Sequence, residues 1–139
     1  MGQVKTTITV TNHADEVRAK DGTIKPDQIR AVTLDDVLVD TGATVLCLPA
    51  AVIQQLGLDA VREVAVSTAN GYSRTQVFED AKIALLGREG TFESIELPGG
   101  ERPLLGVVPL EAMGIELDLQ KQTLRLLPND GWDTYMTAM

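Results

Sequence analysis

The segment Val37-Leu38-Val39-Asp40-Thr41-Gly42-Ala43 sets a carboxylate directly behind three apolar residues. An ionised Asp40 that left water there without partners would be strongly destabilising, so groups that stabilise the charge must stand close by. Thr41 brings a hydroxyl, and Gly42 permits a tight turn in which backbone N–H groups approach the carboxylate with no Cβ in the way. A carboxylate prepared in this manner is suited to general acid–base chemistry.

Other reactive side chains are weaker candidates. Cys47 invites a nucleophilic reading with His13 as its base, but it lies inside the apolar run Thr44-Val45-Leu46-Cys47-Leu48, where a free cysteine behaves as a small buried hydrophobe. His13 stands in a polar stretch and reads as a surface residue. Asp35, Asp36 and Asp40 together suggest a hard-cation or phospho-acceptor loop. Such a loop needs a second Asp two positions after the first, where this chain has Gly42; Asp35-Asp36 is instead predicted to be a hairpin turn. Gly99-Gly100 is followed by no Lys-Ser/Thr and reads as a connector. Neither a metal nor a cofactor is expected.

The elements that must position Asp40 are mostly strands. Val4 to Val10 places Val4, Thr6, Ile8 and Val10 on one face, and Ile29 to Leu34 reads as a strand that ends at Asp35-Asp36. Mixed polar residues separate the two. After the Asp-Thr-Gly turn and the apolar run to Leu48, Pro49 opens a short helix that Gly57 closes. Val61 to Ala69 and Tyr72 to Asp80 flank Asn70-Gly71, a strong hairpin signal. Ala81 to Leu86 and Thr91 to Leu97 form another hairpin around a Gly87-to-Gly90 turn, Pro109 to Met113 is a second short helix, and Thr123 to Leu127 is a last strand. The prediction is an all-β domain over residues 1–127, a closed barrel or sandwich with two short helices. A tail over 128–139 carries a Pro-Asn-Asp-Gly turn signal, Trp132 and Tyr135.

Composition narrows the function classes. A chain of 139 residues is one domain's worth. Its net charge of −8, with no Lys/Arg cluster, argues against nucleic acid as a partner. A single cysteine closes no intramolecular disulfide. Neither a secretory signal nor an apolar stretch near the roughly 18 residues of a membrane span is visible, so the expectation is a cytoplasmic protein without membrane contact. Met1-Gly2 with Thr6 fits the loose myristoylation pattern, but Gly2 is read as part of a flexible terminus.

Val39-Asp40-Thr41-Gly42-Ala43-Thr44, then Pro49, the Leu56-Gly57-Leu58 helix end, the Asn70-Gly71 hairpin and Leu104-Leu105-Gly106 ahead of a short helix, resembles the retropepsin-like aspartic proteases of cellular and bacterial type. The likeness spans about Ile29 to Leu127. It implies that Asp40 is the catalytic acid/base, that Thr41 locks paired loops, and that Gly42 offers its N–H to the carboxylate. Ala43 would begin the substrate cleft, and Ala69, Asn70, Gly71 and Tyr72 would lie over substrate as a moving flap. Leu104, Leu105 and Gly106 would pack beside the acid. In this chemistry two carboxyl groups share one proton, one acting on a water and the other on the scissile carbonyl. The chain carries one Asp-Thr-Gly, so the resemblance implies a two-fold homodimer that brings both copies of Asp40 together and hydrolyses an extended peptide or protein. The alternative is a dimer of the same fold that binds peptides without cutting them.

Overall fold

The computed structural model describes residues 3–68, 71–97 and 102–128. Strand β1 (Val4–Asn12) pairs antiparallel with β2 (Ala31–Val39), which delivers the chain to Asp40. The predicted turn at Asp35-Asp36 does not form, and β2 runs straight through it. Thr6 faces Val37 and Ile8 faces Leu34, so β2 holds one extra residue as a bulge. The bulge resets the alternation: Val32 and Leu34 pack on the core from one phase, Val37 and Val39 from the other. A strand of strict period two would have turned the second pair toward solvent. The exposed Asp36 carboxylate at the bulge meets Arg102 at 2.8 Å and Lys5 at 3.6 Å.

Strand β3 (Leu46–Leu48) is wholly buried, followed by α2 (Ala50–Leu56) with Pro49 at its N-cap. Gly57 closes this helix with φ +64°, a left-handed conformation that glycine adopts without penalty. Strand β4 (Asp59–Thr68) turns back on β5 (Gly71–Leu85). The predicted break near Asp80 is a register shift between Phe78 and Ala81 within one long strand. It lets the first part of β5 pair with β4 and the second part with β1. Leu85 faces Arg88, so the next hairpin turns at Leu86-Gly87 and not across Gly87 to Gly90, and leads into β6 (Arg88–Glu96). Strand β7 (Leu104–Leu105), helix α3 (Val107–Ala112) and the hairpin of β8 (Ile115–Asp118) and β9 (Thr123–Leu126) follow.

The main sheet has the order β1-β2-β7-β3-β6-β5-β4, and the extra β1–β5 pairing returns the hydrogen-bonded path to its start. The fold is all-β and sandwich-like, as the strand patterns predict, without the regularity of a barrel. Its core is aliphatic, with Ile8, Val10, Leu46, Leu56, Ile83 and Leu105 among the buried side chains. A smaller cluster of Cys47, Val77 and Ile95 lies apart from it. Ser94 in β6 is fully buried, and its hydroxyl has no hydrogen-bond partner among the described residues. Ser94→Ala removes a desolvated polar atom at almost no loss of volume. The expected result is unchanged stability or a gain of about 1 kcal/mol in urea denaturation; a loss of that size would refute the assignment.

One helix escapes the sequence reading. The polar stretch after β1 forms α1 (His13–Lys20), so the described residues hold three short α-helices and a 3₁₀ turn at Pro26–Gln28. It lacks an apolar stripe, and Asp15 is its buried residue. End effects hold it instead. The Asn12 side chain accepts from the Asp15 N–H at 3.1 Å, Asp15 and Glu16 occupy the first turn, and Arg18 and Lys20 the last. Asn12 also donates to the Leu56 carbonyl at 2.8 Å, tying the helix start to the end of α2.

Asp15 binds Arg30 through three N–H groups at 2.8–3.0 Å. The Arg30 side-chain hydrogen bonds are the main reason its carboxyl is held below the usual value of 3.8. A depressed folded pKa gives stability that is complete above the unfolded value and is lost as pH falls through the folded one. Asp15→Asn is expected to cost about 2 kcal/mol at neutral pH. The gap from the native protein should narrow below about pH 4, as read by chemical denaturation across pH. A gap that stays constant down to acid pH would show that the ion pair is not its source.

Candidate active site

Asp40 leaves β2 where three backbone segments meet. Strand β7 lies between β2 and β3, parallel to the first and antiparallel to the second. The Asp40 N–H donates to the Leu105 carbonyl at 3.1 Å, and the Asp40 carbonyl accepts from Ala43 N–H at 3.0 Å, which closes the turn. On the far side, Gly106 N–H donates to the Val45 carbonyl at 3.1 Å, Val107 to Ala43 and Val108 to Thr44, both at 3.0 Å. The loop that carries the acid is thus bound along its length to the Leu104-Leu105-Gly106 segment and to the first turn of α3.

Gly106 is required by space. A Cβ there would stand 2.6 Å from backbone atoms of Thr44 and Val45, which have no freedom to retreat. Leu105 is fully buried in the main core, whereas Leu104 faces the cleft beside Asp40. The sequence thus singles out a segment whose two leucines do different work.

The carboxylate is half-buried. Gly42 N–H donates to Asp40 Oδ1 at 2.9 Å, the contact expected of this glycine, and a Cβ at position 42 would lie 3.2 Å from the same oxygen. Asp40 opens onto a cleft of about 630 Å³ that Gly42 and Ala43 also line. On its other side, a hollow of about 310 Å³ is bounded by Asp40, the exposed Thr41, Val4 and Leu119.

Cys47 forms part of the cleft wall. Burial first, and the neighbouring Asp40 charge second, push its thiol up to about 11. It remains a protonated hydrophobe with no use as a nucleophile. His13, on α1, pairs with Glu16 at 3.1 Å.

The predicted flap is placed only in part. Ala69 and Asn70 lie outside the described residues. Thr68 pairs with Gly71 and Ser67 with Tyr72, so Gly71 belongs to β5 and not to the centre of the turn as the hairpin signal suggests. Tyr72 is 86% exposed. One wall of the cleft is formed by β4, with Val64, Ala65, Val66 and Ser67 beside Arg62. These residues were missing from the predicted site. The period-two pattern of Arg62, Val64 and Val66 was the available signal, because it sets an apolar stripe along one face of a strand. Glu93 and Ile95, the same face of β6, add to the wall.

A search among curated proteins finds no match. Among solved structures, the solution structure of Simian Foamy Virus (mac) protease is similar, with 23% identity over 57% of this chain and 84% of the viral one and a TM-score of 0.42. The model of a family described as "gag-polyprotein putative aspartyl protease" matches residues 28–111, more than half of the chain and inclusive of both Asp40-Thr41-Gly42 and Leu104-Leu105-Gly106. With Asp40 held in a turn that lines a cleft, this chain belongs to that aspartyl protease family.

Proposed function

We propose that the protein is an aspartic endopeptidase whose active form is a symmetric homodimer. The observation that carries this reading is the single Asp40 carboxylate, held by the Gly42 amide where the cleft meets the second hollow. One acid cannot supply both roles of the reaction. In the dimer, Asp40 of one protomer, ionised, takes a proton from a water. Asp40 of its partner, protonated, donates to the scissile carbonyl oxygen. Water adds to the carbonyl carbon, and collapse of the tetrahedral intermediate breaks the C–N bond as the amine receives a proton from one Asp40 and a hydroxyl of the intermediate returns a proton to the other, which restores the dyad.

The apolar cleft accepts the substrate in extended form. Backbone hydrogen bonds along it supply affinity, and alternate side chains supply selectivity. Thr41, exposed at the hollow beside Asp40, is positioned in this reading to meet the partner's loop. Gln3, Val4 and Leu119, which share the hollow with Asp40 and Thr41, form the near side of the contact. The same reading keeps the enzyme in the cytoplasm.

The test is hydrolysis of an unstructured protein at acidic to mildly acidic pH, with activity per chain rising with protein concentration as dimers form. Binding of peptides without any cleavage would favour the non-cutting alternative. Cleavage by a species that sedimentation shows to be monomeric would overturn the dimeric mechanism.

A further inference from the structure

Besides Asp40, the charged side chains that line the cleft among the described residues are Arg62 on β4 and Glu93 on β6. They face each other as a fork, with Arg62 Nη1 donating to Glu93 Oε2 at 2.7 Å and Nη2 to Oε1 at 2.6 Å. Neither is sealed away: the arginine side chain is 52% exposed and the glutamate 43%. Apart from Ser67, the rest of that wall is apolar, with Val64, Val77 and Ile95 nearby. Glu79 is the other carboxylate that acts on Arg62. A bidentate pair in such a place presents two strong charges whose fields cancel, so a substrate side chain beside it meets no net attraction. A charged side chain would lose water and gain no counter-charge.

We propose that Arg62 and Glu93 set the charge preference of the cleft, keeping the subsite they flank selective for uncharged substrate side chains by neutralising each other. This rests on the reading of the cleft as a peptide site, but it concerns binding and does not require turnover. Removal of either partner unmasks the other. Glu93→Gln leaves a guanidinium and favours acidic substrate residues; Arg62→Gln leaves a carboxylate and favours basic ones. Both positions are half-exposed and outside the core, so the variants keep the fold.

The experiment uses the full chain with Asp40→Asn added, to prevent turnover, and a series of apolar decapeptides in which Glu or Lys is walked through each position. Binding is read by fluorescence anisotropy. The native pair should disfavour both Glu and Lys at the same peptide position. At that position, Glu93→Gln should shift the Glu-to-Lys preference about three- to tenfold toward Glu, and Arg62→Gln by a similar factor toward Lys. A shift in the same direction for both variants, or none in either, overturns the proposal, because a merely structural pair would not give opposite signs. Opposed shifts in a protein that never cleaves would uphold it and remove the peptidase reading instead. Failure of every peptide to bind overturns it together with the peptide-binding role of the cleft.

Discussion

Asp40→Asn is expected to reduce peptide hydrolysis by about 10⁴-fold in kcat/KM while thermal stability and dimerisation stay within the error of measurement. The substitution is close to isosteric. The asparagine carbonyl oxygen still accepts from Gly42 N–H, as Asp40 Oδ1 does at 2.9 Å, and the main-chain bonds to Leu105 and Ala43 do not involve the side chain. What disappears is the group that gains and gives up a proton. Mixing adds a sharper result. Native chains combined with a large excess of the variant pass into mixed dimers, each with one acid, so activity per native chain should fall with the proportion of variant. A dimer in which each protomer worked alone would keep it constant. Retained cleavage in the purified variant would reject Asp40 as the acid altogether.

Gly106→Ala is expected to lower stability by about 3 kcal/mol and to reduce activity more than the remaining folded fraction explains. The added methyl would meet backbone atoms of Thr44 and Val45 at 2.6 Å, and overpacking against parts that cannot move is destabilising by roughly 1–3 kcal/mol or somewhat more. Relief requires the Ala43–Val45 segment to shift, which pulls on the Gly106–Val45 and Val107–Ala43 hydrogen bonds. Ala43 follows the Asp-Thr-Gly turn directly, so the displacement reaches the carboxylate. In catalysis, misplacement of about 1 Å is worth about 10²-fold. Denaturation and kinetics on the same samples separate the two effects. Full stability in Gly106→Ala would mean that the loop yields more readily than its hydrogen bonds suggest.

The parts of the fold that local chemistry enforces were legible. Pro49 and Gly57 bracket α2 because one fixes φ at the start and the other accepts a left-handed end. The alternation of Val4, Ile8 and Val10 marks the buried face of β1. Other elements depend on what lies opposite them. Asp35-Asp36 has turn chemistry, yet pairing with β1 keeps it in a strand and converts it to a bulge. Helix α1 has no apolar stripe to betray it; its caps were visible, but the Asp15–Arg30 bonds that hold it join positions fifteen residues apart. β5 likewise reads as two strands, since its change of partner from β4 to β1 is set by the sheet.

The order of residue types along the chain by itself marked Asp40 as the candidate acid, Gly42 as the residue able to approach it, and one Asp-Thr-Gly per chain. Those features follow from charge, hydroxyl and the lack of a Cβ at adjacent positions, all of which are local. Only tertiary structure decided what surrounds that acid. Leu104-Leu105-Gly106 enters between β2 and β3 from more than sixty residues away, and β4 and β6 bring Arg62 and Glu93 to the same wall. The reason is that sheet pairing joins residues by register across space, and no local pattern in either strand specifies which partner the other end of the chain will supply.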